Sequence, residues 1–254
     1  MGILNITPDS FFDGGAYNAP ELAVKRALEL QAQGADIIDI GAHSTRPGSV
    51  ALTPQEELAR LLPVLKVLRG QLRVPVSVDT FYPQVAKLAL EHGAAIINDV
   101  SGKLTGEMAQ IIKDHSAGWV LMHNNGGADA TPAYSPDVVT CVRKYLHEMV
   151  EQAMQFGIAR EQLCVDPGIG FGKTHEDNLK LIAHTARLKV DGIALLVGAS
   201  RKRVTGAQQA PAKRLGGTVA AHVIAQLGGA NVLRVHDVEL ARQAADFIEC
   251  VIMP

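Results

Sequence analysis

The chain of 254 residues is 47% hydrophobic and 20% charged with a formal net charge of -2, the makeup of an ordinary globular protein able to bury a large core. Its Lys and Arg residues are scattered, which argues against a nucleic-acid surface, and no run of about twenty apolar residues offers a membrane span. Cys141, Cys164 and Cys250 are odd in number, widely spaced and without a CxxC pair, so no disulfide framework or structural zinc is expected, and with no leader-like start the protein is expected to be soluble and cytoplasmic.

Apolar runs of strand length recur at 1–5, 36–41, 74–79, 95–99, 118–123, 163–166, 193–199 and 231–235. Amphipathic segments of helical period lie between them, among them 21–33, 54–68, 83–92, 137–156 and 213–227, several opening at Thr, Pro or Asp and closing near Gly. Strand alternating with helix implies a parallel sheet, because each crossover must return the chain to the same sheet edge. Eight such units in 254 residues predict an α/β fold, an eight-stranded parallel (β/α)8 TIM barrel forming a single domain over 1–254.

In such a barrel the chemistry sits at the C-terminal ends of the strands. Those ends offer Asn5 with Thr7 and Asp9, Gly41 with Ser44, Thr45 and Arg46, Asp79, Asn98 with Asp99, His123, Asp166, Ser200 with Lys202, and Arg234 with His236. Any one could be a turn or cap residue, a reading that holds best for Asp99 and Asp237, but polar groups at every strand end point to an active site there. Asp79, Asn98 and Asp166 could present acceptors to one flat ligand rich in N–H donors, while Lys202, Arg234 and His236 come from strands seven and eight, where this fold commonly holds a phosphate.

The segment Asp166-Pro167-Gly168-Ile169-Gly170-Phe171-Gly172-Lys173-Thr174 invites a phosphate-loop reading, but Pro167 stands where G-x-x-x-x-G-K-[ST] needs Gly, and the three glycines do not match G-x-G-x-x-G. It reads as a flexible glycine loop. Ser10 lies in no G-x-S-x-G elbow and no histidine in an H-E-x-x-H helix, and of nine histidines only His43, His123 and His236 fall at strand ends. Lys202 could form a Schiff base if buried, but Arg201 and Arg203 beside it favour an anion-holding corner.

The stretches 2–11, Ser44-Thr45-Arg46-Pro47-Gly48, Ser77-Val78-Asp79-Thr80, Ile97-Asn98-Asp99-Val100-Ser101-Gly102, 166–173, Ser200-Arg201-Lys202 and Arg234-Val235-His236-Asp237-Val238 resemble the signatures of the dihydropteroate synthases, a pterin-binding barrel family, in the family's order and over essentially the whole chain. The resemblance implies a transferase of folate biosynthesis that joins a pterin diphosphate to p-aminobenzoate, releasing pyrophosphate. It implies that Asp79, Asn98 and Asp166 take the ring-edge donors of the pterin, that Lys202 donates to its carbonyl oxygen, and that Met122 lines the same pocket. Asn5, Arg234 and His236 would hold the diphosphate, with Mg²⁺ as cofactor at Asn5. Thr45, Arg46, Pro47, Phe171 and Ser200 would frame the p-aminobenzoate pocket, which sulfonamides imitate.

The implied mechanism breaks the pterin–diphosphate C–O bond first and lets the aniline nitrogen attack the resulting cation, with Asp79, Asp166, Lys202, Arg234 and His236 as the catalytic set and no protein nucleophile. The family also implies a homodimer built on the last helices. This chain departs from the pattern at His43, where the family usually has Glu, and at Asn124-Asn125-Gly126-Gly127, where Met-Gln-Gly-Pro is common. Two rivals stand beside this reading: a pterin-binding paralogue without synthesis, and a folate-dependent corrinoid methyltransferase, which would not need the Ser44–Gly48 loop or the Arg234 and His236 corner.

Overall fold

The computed structural model describes residues 1–6, 19–42, 52–126, 130 and 133–252. Eight strands, β1 (Gly2–Asn5), β2 (Ile38–Gly41), β3 (Val76–Asp79), β4 (Ile96–Asp99), β5 (Gly118–Met122), β6 (Leu163–Asp166), β7 (Ala194–Val197) and β8 (Val232–Leu233), alternate with helices α1 (Ala19–Ala32), α2 (Pro54–Leu68), α3 (Pro83–Glu91), α4 (Gly106–Asp114), α5 (Val138–Gln155), α6 (His175–Ala183), α7 (Leu215–Leu227) and α8 (Val238–Ile252). The strands form one curled parallel sheet in the order β1 to β8. Val235, just past β8, bridges Gly2 of β1, accepting from Ile3 N at 2.9 Å and donating to Met1 O at 2.9 Å.

Two apolar layers sandwich the sheet, as the two-residue period of a strand requires. On the convex side Ile38, Ile40, Val78, Ile97, Trp119, Leu121 and Val165 pack with helix residues such as Leu30, Leu61, Leu65, Ile112 and Leu146 in the main core. On the concave side Met1, Ile37, Ile96, Val120, Cys164, Leu196 and Val232 form a smaller cluster beneath the strand ends. Burying both faces explains why these strands read as nearly continuous apolar runs.

Helix starts follow local chemistry. Thr53 and Glu56 form a reciprocal capping box with Pro54 at the first helical position of α2, and Thr174 with Asp177 does the same for α6. Asp137 caps α5 by accepting from Val139 N and Thr140 N. Several strands stop short of the apolar runs expected for them, yet the ladder goes on: Thr80 N donates to Asn98 O at 3.2 Å, His123 N to Asp166 O at 2.9 Å and Arg234 N to Val197 O at 3.1 Å. Residues at the strand ends are therefore fixed by the sheet itself. Among the described residues, no helix is long and apolar enough to cross a membrane.

Candidate active site

The C-terminal ends of β2, β3, β4 and β8 share one polar network. Asp39, wholly buried in the middle of β2, accepts from Ser77 Oγ at 2.6 Å, Asn98 Nδ2 at 3.2 Å and Arg234 Nε at 2.6 Å. Arg234 Nη2 reaches Asp79 Oδ2 at 2.7 Å. Burial pushes the Asp79 carboxyl up, opposed by the Arg234 guanidinium and reinforced by the negative charge of Asp39 and Glu57. Among the described residues Asn98 Oδ1 is buried with no hydrogen-bond partner, an acceptor open to a donor.

A second cluster stands on β6 and β7. Asp166 Oδ1 accepts from Gly168 N at 2.7 Å, and burial raises its carboxyl pKa against the pull of Lys202. Lys202 Nζ donates to Ile169 O at 2.5 Å and lies 4.7 Å from the centre of the Phe171 ring, a cation–π distance. Burial brings its pKa down to about 8, with Asp166 pulling the other way. Both Lys202 and Arg234 therefore stand against the acidic groups rather than apart from them. The division into an acceptor region and a cationic corner is corrected here, because buried carboxylates need compensating charge close by.

The loop after β6 is pinned, not flexible. Gly168, Gly170 and Gly172 adopt φ of 66°, 84° and 58°, and a Cβ on Gly168 would lie 1.9 Å from His123 O and one on Gly172 2.1 Å from Asn125 O. Lys173, 5% exposed, donates to Gly168 O at 2.9 Å and Phe171 O at 2.8 Å and contacts His123 Nδ1 at 2.9 Å. Gly168 and Gly172 serve close backbone approach, and Lys173 ties the loop into a packed shelf carrying Phe171 and Ile169.

Ser200 Oγ lies 2.9 Å from His236 Nδ1 and accepts from His236 N at 3.2 Å. Burial, helped by Arg201 and Arg234, brings His236 down to about 4, so its imidazole is neutral near pH 7 and presents a dipole. Ala199 N donates to the buried His222 Nε2 at 3.2 Å, which fixes the exit of β7. Asp237 takes the Arg201 guanidinium through both oxygens and Asp99 accepts from Ser101 N at 2.9 Å, so both have structural partners. Met122 is buried at the end of β5, in register with Asp166. Thr7, Asp9, His43, Ser44, Thr45, Arg46, Pro47, Gly48 and Gly127 lie outside the described residues.

At the end of β1, Asn5 faces a gap left by Gly41: a Cβ there would be 3.9 Å from Asn5 Oδ1 and 3.8 Å from Asp79 Oδ2. Asp79 Oδ2 is held by Arg234, so Asn5 Oδ1 is the oxygen here that could meet a hard divalent cation such as Mg²⁺. No group of three or more His, Cys, Asp and Glu among the described residues could hold a metal alone. A cation here would rely on ligand oxygens and water, as Mg²⁺ commonly does.

Asp39, Ser77, Glu57, Lys173 and His222 were not singled out as site residues by the sequence. The apolar setting of Asp39 between Ile38 and Ile40 was the available signal, since a carboxylate inside a buried strand must have partners.

A curled parallel sheet whose strand ends carry buried acceptors and two cations is the arrangement of the β/α-barrel class of enzymes. Residues 1–236 match the family model of the pterin binding enzymes. A dihydropteroate synthase of Synechocystis sp. is 41% identical, over 96% of this chain and 86% of its own length. Crystal structures of dihydropteroate synthases from Clostridium difficile, in the presence of pteroic acid, and from Xanthomonas albilineans, with 4-aminobenzoic acid, superpose with TM-scores of 0.94 and 0.93 at 40% and 43% identity, covering 100% of this chain and 96% and 93% of theirs. The chain belongs to the pterin binding enzyme family and, within it, to the dihydropteroate synthases.

Proposed function

We propose that the chain condenses 6-hydroxymethyl-7,8-dihydropterin diphosphate with p-aminobenzoate, giving 7,8-dihydropteroate and pyrophosphate, with the pterin seated on Asp79, Asn98, Asp166 and Lys202. The observation that carries this seating is the buried Asn98 Oδ1, unpartnered among the described residues and in register with the acidic end of β3 at Asp79, an arrangement that suits an N–H donor on a ligand. Lys202, held by Ile169 O and Phe171, supplies the complementary donor for the ring carbonyl. Met122 closes the apolar side.

The site suits ionisation of the bond between the pterin methylene and the diphosphate oxygen. Its electrons leave with the diphosphate, and the positive charge left on the ring gains from Asp79 and Asp166 in a buried, low-dielectric setting. The aniline nitrogen then forms the new C–N bond and releases its proton to the diphosphate or to water. Asn5 and His236 would receive the diphosphate; Arg234, tied to Asp39 and Asp79, would meet it at the edge of the ring. Mg²⁺, when bound, would neutralise part of the diphosphate charge, with the oxygen of Asn5 available to it. Ser200 and Phe171, with Thr45, Arg46 and Pro47, would frame p-aminobenzoate, which makes the pocket a target for sulfonamides.

Hydrogen bonds between Val235 and the first strand support a sheet closed into a (β/α)8 barrel, one domain over 1–254. Exposed Phe247, Val251 and Ile252 on α8 with Leu227 on α7 support a homodimer through the last helices. We read the protein as cytoplasmic on its reduced, scattered cysteines.

The test is turnover of the purified protein with Mg²⁺, the pterin diphosphate and p-aminobenzoate. Pyrophosphate release that requires p-aminobenzoate, with dihydropteroate as product, is expected. Tight dihydropterin binding without product would instead mark a binding-only paralogue, and methyl transfer to a corrinoid would overturn the synthase reading.

A further inference from the structure

We propose that Asp39 is a positioning residue of the ring site, fixing the Asn98 amide with its oxygen toward the ligand and holding the Arg234 guanidinium against Asp79. This deepens the pterin reading and rests on it. Asp39 is wholly buried one pleat below the strand ends, so it acts only through its neighbours.

The argument is one of donor and acceptor. An ionised carboxylate can only accept, and Asp39 accepts from Ser77 Oγ through Oδ1 and from Asn98 Nδ2 and Arg234 Nε through Oδ2. The reversed amide would set Asn98 Oδ1 against Asp39 Oδ2, oxygen facing oxygen. Asn98 therefore has one allowed orientation, and its Oδ1 is left buried and unpartnered. A ring edge that brings an N–H relieves that orphaned acceptor, whereas an edge that brings a lone pair meets repulsion. Ring selectivity at Asn98 is thus decided by a residue on another strand that does not touch the ring. Through the same oxygen Asp39 fixes Arg234 Nε, so that Nη2 points at Asp79.

The experiment is calorimetric binding of 6-hydroxymethyl-7,8-dihydropterin to the full chain and to the variants Asp39→Asn, Ser77→Ala and the pair Asp39→Asn with Asn98→Asp, alongside the KM for p-aminobenzoate. Asp39→Asn should weaken dihydropterin binding by about tenfold or more, because a neutral amide with one acceptor oxygen loses the charge-assisted hold on the Asn98 amide and on Arg234, while the p-aminobenzoate KM stays within about twofold. The double variant should recover most of that loss, since an acid at position 98 accepts in either orientation. Loss of general structure would move both substrates and would not be rescued. Affinity unchanged in Asp39→Asn, or a double variant no better than the single, overturns the proposal. If Asp39→Asn does not fold, Ser77→Ala decides: it removes a tether of Asp39 and should weaken binding about threefold or more, and unchanged affinity overturns the proposal. A wild-type protein that does not bind the dihydropterin would overturn the pterin reading itself, and this inference with it.

Discussion

Lys173 Nζ lies 2.9 Å from His123 Nδ1, joining the loop after β6 to the end of β5 across fifty residues of sequence. The same ammonium reaches the carbonyl oxygens of Gly168 and Phe171, so one buried amine holds the loop that carries Phe171. Burial lowers the Lys173 pKa to about 7, and burial together with the Lys173 charge lowers that of His123 to about 3. The imidazole is therefore neutral, and while Lys173 is protonated it accepts at Nδ1. Replacing Lys173 by Met strands several buried acceptors and should cost about 2–4 kcal/mol in urea unfolding. It should also raise the KM for p-aminobenzoate more than that for the pterin diphosphate, because Phe171 loses its anchor.

Two glycines should respond in opposite directions. Gly168→Ala forces a Cβ to 1.9 Å from His123 O at a left-handed φ and should destabilise the fold by about 3 kcal/mol or more. Gly216, in α7, has open space around its missing Cβ, so Gly216→Ala should stabilise by about 0.5–1 kcal/mol. Thermal unfolding of the two variants checks both signs.

Glu57 gives a pH-dependent stability difference. It is buried on α2 with Oε1 unpartnered among the described residues, and burial raises its pKa to about 7, above the ordinary 4.5, against a hydrogen bond from Thr80. A group whose folded pKa is raised contributes stability that is complete below its unfolded value and is lost as pH rises through the folded one. Glu57→Gln cannot ionise. Relative to wild type it should be about 2–3 kcal/mol more favourable at about pH 8.5 than at about pH 5. Denaturant unfolding at the two pH values measures this, and a pH-independent difference would contradict it.

Asn5→Ala should raise the Mg²⁺ concentration for half-maximal turnover several-fold, by roughly 1 kcal/mol of lost ligation. Binding of the dihydropterin without its diphosphate should stay unchanged. Metal titrations of turnover and calorimetry of the diphosphate-free ring separate the two effects.

What the chain order alone determined is local. The βα repeat, the capping residues Thr53 and Asp137, and Asp79, Asn98 and Asp166 at strand ends are all legible, because side-chain period and turn chemistry act over a few residues. Fewer helix boundaries were legible for α4, α6 and α8, where only the caps Thr105 and Thr174 mark two of the starts. The sequence alone suggests a flexible glycine loop, because glycine permits many conformations; the tertiary structure decided that Gly168 and Gly172 admit the backbone just past β5. Asp39 stands between Ile38 and Ile40, where nothing local gives it a role. Its partners Ser77, Asn98 and Arg234 lie 38, 59 and 195 residues away, and only the assembled, curled sheet brings them within hydrogen-bonding distance. Charge compensation and amide orientation depend on those distances in space, which no local pattern encodes.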